Sequence, residues 1–161
     1  MSIYWSSVME YYNGLQAETD DDVLNAMLDC NRGNRPLLMH SAILELPLND
    51  ETINELIEEV WTDSESIYEC QHIWNDVWPI YDNPYQKKLI NRIFKQPIKL
   101  YRAGNLDGAY QSWTFSEEQA KFFAMRQVRS QDSIIHERYV DAEHVVAIFN
   151  ARGEKEVVIK G

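Results

Sequence analysis

The side chains best suited to chemistry cluster toward the C-terminal end of the 161-residue chain. Arg102 closes the apolar stretch "IKLYR", Ser112 and Thr114 flank a tryptophan in "YQSWT", and Glu154 and Glu156 lead into "VVIK". On extended backbone, residues i and i+2 share a face. Ser112 and Thr114 therefore point together with Trp113 opposite, and Glu154 and Glu156 point away from Val157 and Ile159. A guanidinium, two hydroxyls and two carboxylates on separate strands meet in one cleft if the sheet folds over. Taken singly, each has a plainer reading: a salt-bridged surface arginine, an ordinary edge strand, and a solvated strand face.

Other chemistries lack their signatures. His40, His72, His136 and His144 show no HxxxH or HExxH spacing, so no metal site is expected. The GxxxxGK[ST] and GxGxxG phosphate loops and the GxSxG nucleophile elbow are missing. Cys30 and Cys70 lie far apart with no CxxC partner, which reads as reduced thiols in a cytoplasmic protein. The opening "MSIYWSSVMEYY" has neither a basic n-region nor an apolar h-region, so no secretory signal is expected. No apolar run reaches the roughly 20 residues of a membrane span, so no membrane association is expected either.

Two regions of different character must position these residues. Residues 1–96 carry 17 acidic against 6 basic side chains, whereas residues 97–161 carry nine of each, so the whole net charge of −11 sits in the first region. Such a surface argues against binding nucleic acid through its phosphates. It reads as solvated helix faces, or as a patch that docks on a basic partner or imitates nucleic acid. Residues 3–12 and 19–30 predict short helices, the second capped by Thr19 ahead of three aspartates. Asp50 is expected to cap a helix that turns Ile53, Leu56, Ile57 and Val60 inward, and residues 64–78 continue helically to Pro79. Pro84 opens another helix, with Leu89, Ile90, Ile93 and Phe94 on one face. From Pro97 the pattern becomes strand-like: "IKLYRA", "AYQSWTF", "SIIHERYV", "HVVAIFN" and "EVVIK", with one helix after Ser116 that buries Ala120, Phe123 and Ala124. The class is α+β, a helical region 1–96 and a strand-rich core 97–161 within one compact domain.

An arginine on a first strand, Ser-x-Thr on a second strand leading into a helix, and Glu-x-Glu on a late strand together resemble the arginine–serine–glutamate branch of the ADP-ribosyltransferase family. "LYRAG", "SWTFSEEQAKFFA" and "GEKEVVI" look most like its compact phage- and bacteria-encoded members. The resemblance covers residues 98–161 and leaves the acidic helices unmatched. Two features depart from the family. Ser112-Trp113-Thr114 stands where Ser-Thr-Ser is common, and the segment between Arg102 and Ser112 is short.

The resemblance implies a small split β-sheet core with helices packed on it, and NAD as a substrate with no metal. It implies transfer of ADP-ribose to a protein, arginine being the favoured acceptor. Glu156 would stabilise the charge that develops on the nicotinamide ribose, as carboxylates do in glycoside hydrolysis. Glu154 would orient or deprotonate the acceptor. Arg102 would hold phosphate or ribose oxygens, Ser112 would orient ribose and Glu156, and Thr114 would support the strand. Tyr101, Tyr110, Trp113 and Phe123 are candidates for stacking on nicotinamide or adenine. Two other readings stay open: a degraded relative that binds or inhibits through its acidic surface, and an NAD glycohydrolase.

Overall fold

Thr19 stands before three aspartates, and a computed structural model shows the consequence. The structure describes residues 19–64, 70–126, 134–150 and 155–161. The helix expected over residues 3–12 and residues 65–69 of the 64–78 segment lie outside the described residues. Helix α1 (Asp20–Asp29) begins with a reciprocal cap: Thr19 Oγ1 accepts from the Asp22 amide, and the Asp22 carboxylate accepts from the Thr19 amide. The pair satisfies two backbone donors, and the aspartates meet the positive end of the helix dipole. Helix α2 is Arg35–Glu45, and α3 is Asp50–Asp63. The cap of α3 is Asn49 rather than Asp50. Asn49 Oδ1 accepts from the Thr52 amide at 2.8 Å, which leaves Asp50 and Glu51 in the first turn to meet the dipole. Helix α4 (Gln71–Val77) runs into a short 3₁₀ turn, Trp78–Ile80, that contains Pro79.

The chain divides into two compact units between Asn83 and Pro84. In the first, Leu56, Ile57 and Val60 of α3 are buried as the spacing predicts, Ile53 is only half-buried, and Trp61, outside the predicted set, is buried as well. Trp61 stands edge-on to Trp74 and Trp78, with ring centroids 4.8 and 5.2 Å away. Such geometry adds about 0.5–1.5 kcal/mol per pair beyond the area buried. Arg35 ties three elements together. It donates to the Leu28 and Cys30 carbonyls at the end of α1 and pairs with Asp63 at 2.6 Å. The carbonyls that close α1 thus find a partner that an isolated helix would lack.

The second unit begins with α5 (Pro84–Ile93), ahead of the change in composition at Pro97. Ile90 and Phe94 face inward, whereas Leu89 is half-buried and Ile93 is exposed. Strands β1 (Ile98–Ala103), β2 (Tyr110–Thr114), β3 (Ile135–Val140), β4 (Val145–Phe149) and β5 (Glu156–Lys160) form one antiparallel sheet of order β3-β1-β2-β5-β4. Helix α6 (Glu117–Arg126) follows β2. Leu100, Trp113, Val157 and Ile159 pack with Ile90 and Phe94 into the core of this unit. Edge strand β4 is closed in an unusual way. The buried Gln86 amide donates to the Ile148 carbonyl at 3.0 Å and accepts from the Ile148 amide at 2.9 Å, as a neighbouring strand would. Six helices and five strands make the described residues α+β, and no helix among them is long and apolar enough to cross a membrane.

One carboxylate of the first unit has a readable pH signature. Glu58 is half-buried and accepts from the Tyr81 hydroxyl at 2.9 Å and from Asn83 at 3.3 Å. Burial pushes its pKa up, and the two hydrogen bonds only partly oppose this. The native state therefore holds this proton more tightly than the unfolded chain does. The resulting stability is fully present below the unfolded-state value of about 4.3 and is lost as pH rises through the higher folded value. Urea unfolding of Glu58→Gln across this range should lack that component of the pH dependence. A variant curve parallel to the wild type would contradict the assignment.

Candidate functional site

The site is built by the order of the sheet. Strands β1, β2 and β5 lie side by side, so no folding over is needed to bring their polar residues together. Tyr101 is registered with Thr114, and Thr114 with Glu156. Directly opposed residues of antiparallel strands share a face, so these three side chains form a row across the sheet. Ser112 shares that face by alternation. Trp113 points the other way into the core, as expected, and its indole N–H donates to Gln111 Oε1 at 3.0 Å.

Arg102, Ser112, Thr114 and Glu156 line one cleft, with Tyr101 and Phe123 among the walls. Its cavity volume is about 50 Å³, room for a few waters and well below the range for small-molecule sites, so only part of a ligand could sit inside it. Two predicted site residues are not in it. Tyr110 is buried at the opposite end of β2, paired with Lys160, whose ammonium lies 6.0 Å from its ring centroid. Burial pushes the Tyr110 phenol up. Glu154 lies outside the described residues.

Arg102 makes the most telling contacts. The β1–β2 ladder is short, with Tyr101 opposite Thr114, whereas β1 pairs with β3 over six residues. Toward the loop, a side chain bridges the two strands instead. Arg102 Nη1 donates to the Ser112 carbonyl at 2.6 Å, and Nε donates to the Asn105 carbonyl at 2.7 Å. Burial pulls the guanidinium pKa down, and the Glu156 carboxylate opposes that pull, so the cation and the anion of the cleft stabilise one another.

Local backbone sets the remaining positions. Thr114 Oγ1 accepts from the Ser116 amide at 3.1 Å, and Ser116 Oγ accepts from the Gln119 amide at 3.2 Å. One hydroxyl thus ends β2 and the next starts α6, which fixes the turn behind the cleft. Lys155, immediately before Glu156, has a φ of +50°, a conformation unfavourable to a residue with a β-carbon. Gly104 has a φ of +107° just after Arg102, and its amide donates to the Ile134 carbonyl.

The role of Gln111 was not foreseen, because alternation marks it only as an inward strand position. Its one sequence signal is an amide two residues from a buried tryptophan that needs an acceptor. Asp141, Glu143 and His144 bring possible ligand atoms within 4.8 Å of one another on an exposed turn. Exposed groups so arranged are common without an ion, and nothing connects them to the cleft.

Gly104 supplies a direct test of how this end of the site is held. A β-carbon there meets open space but cannot accept the backbone angle. Gly104→Ala should therefore cost about 1–2 kcal/mol in denaturant unfolding. An unchanged midpoint would show that the turn relaxes freely.

No protein-family model, curated protein or solved structure matches the chain.

Proposed function

We propose that the protein is an NAD-dependent mono-ADP-ribosyltransferase acting on a protein target. The observation that carries this reading is the adjacency of β1, β2 and β5, with Arg102, Ser112, Thr114 and Glu156 around one cleft. When the nicotinamide–ribose bond breaks, its electron pair leaves with nicotinamide and the anomeric carbon becomes positive. A carboxylate beside the ribose lowers that barrier. Glu156 is that carboxylate in this proposal, with Ser112 orienting it and the ribose. The acceptor then attacks the anomeric carbon and loses a proton. Glu154 is the group that resemblance implies for orienting or deprotonating an arginine acceptor.

The size of the cleft shapes the proposal. Its cavity volume of about 50 Å³ encloses neither end of NAD, so in this reading the dinucleotide lies across the open mouth, with Tyr101 and Phe123 as apolar walls beside the nicotinamide ring. Arg102 acts less as a fork gripping phosphate than as a half-buried positive charge that holds the cleft wall, because two of its donors already face backbone carbonyls. That commitment also favours a second reading, a binding protein with the same core and no turnover. The acidic residues 1–96 then select a basic partner in either case.

Incubation with labelled NAD and cell lysate separates the readings. Label on a protein supports transfer, free ADP-ribose alone supports hydrolysis, and neither supports the binder. Glu156→Gln should lower turnover on the order of a hundredfold or more if charge stabilisation is its main contribution. Near-normal turnover in that variant would remove Glu156 from the mechanism.

A further inference from the structure

We propose that Gln111 is a positioning residue. It locks the β1–β2 connection from the core side and thereby holds the Arg102 guanidinium at the cleft. Only the ligand-binding consequence rests on the NAD reading above.

Gln111 is buried, 6% exposed, on the same face of β2 as Trp113. Its Nε2 donates to the Leu106 carbonyl and, at 3.4 Å, to that of Gly108, while its Oε1 accepts from the Trp113 indole. The carbonyl just before Leu106, that of Asn105, accepts from Arg102 Nε. Carbonyls at 105, 106 and 108 are thus held by two side chains, one on each bordering strand. Gly104 and Gly108, with φ of +107° and +91°, bracket the segment and turn the chain at both ends. The Asp107 amide closes on Asn105 Oδ1 at 3.2 Å. Together these contacts hold the connection through side chains where a short ladder leaves it little regular pairing.

Core packing alone does not explain an amide at this position. Gln111 lies opposite the fully buried Ile159, and an aliphatic side chain would fill the same space without desolvating a polar group. The amide is useful there because it can donate to the loop and accept from the indole at once. Arg102 depends on this arrangement. If the connection loosens, the Asn105 carbonyl leaves Nε, and the guanidinium loses one of the two contacts that fix it beside Glu156.

The test compares Gln111→Leu with Gln111→Glu. Leucine keeps the bulk and removes both polar functions. An ionised carboxylate keeps the acceptor for Trp113 but repels the two loop carbonyls, whereas its protonated form donates to them again. Amide hydrogen exchange is read at Gly104 and Asp107 as a ratio to the wild type at each pH. Gln111→Leu should exchange about ten-fold faster or more at these amides, with the core amides of β5 unchanged. Gln111→Glu should match it at neutral pH and return toward wild type as pH falls.

Wild-type exchange in Gln111→Leu would overturn the proposal, as would a Gln111→Glu ratio that ignores pH. NAD titration of the same proteins separates the two claims. Weaker NAD binding by both variants at neutral pH supports the positioning role. Faster loop exchange with unchanged NAD affinity overturns it. If wild type fails to bind NAD while the loop responses appear, the lock stands and the NAD reading falls.

Discussion

The second unit depends on one half-buried cation. Arg102 spans the gap between β1 and β2, where a continuous ladder would have supplied backbone hydrogen bonds, and gives its donors to the carbonyls of Ser112 and Asn105. A guanidinium taken from water without such partners would be costly to bury. Here two carbonyls and the field of Glu156 compensate it. The same contacts determine the rest of the site. They set the wall that carries Ser112, the shape of the connection after Gly104, and the charge that Glu156 faces. The cleft is therefore a consequence of how two strands are joined, and its chemistry follows from the residue used to join them.

Much of this was legible because local rules suffice for it. The alternation in "IKLYRA" and the apolar run in "EVVIK" give the bounds of β1 and β5 as observed, and Thr19 and Ser116 announce their helices by capping chemistry. The opposite orientations of Trp113 and Ser112 follow from the strand period alone. The adjacency of β1, β2 and β5 was not legible, since pairing partners depend on long-range packing that no local pattern encodes. Gln86 and Gln111 were missed for a related reason. A buried amide looks like any surface glutamine until its partners, Ile148 in one case and Leu106 and Gly108 in the other, are known. Asn49 rather than Asp50 caps α3, a choice no local pattern makes because both residue types cap equally well.

The charge division separates two tasks. The excess acidity of residues 1–96 is what the proposed function uses to select a basic partner. Residues 97–161 are neutral overall and carry Arg102, Ser112, Thr114 and Glu156. Under the proposed reading, that neutral balance suits an anionic dinucleotide, because an excess of carboxylates would repel its pyrophosphate.

The central claim is that the Arg102–Glu156 cleft binds the nicotinamide-ribose end of NAD. Titration of isotopically labelled protein with NAD, followed by amide NMR, tests it before any turnover is required. Saturable shifts at Arg102, Ser112, Thr114 and Glu156, with nicotinamide mononucleotide moving the same amides and adenosine monophosphate leaving them in place, are the predicted result. Shifts confined to residues outside the cleft, or none at all, would contradict the account.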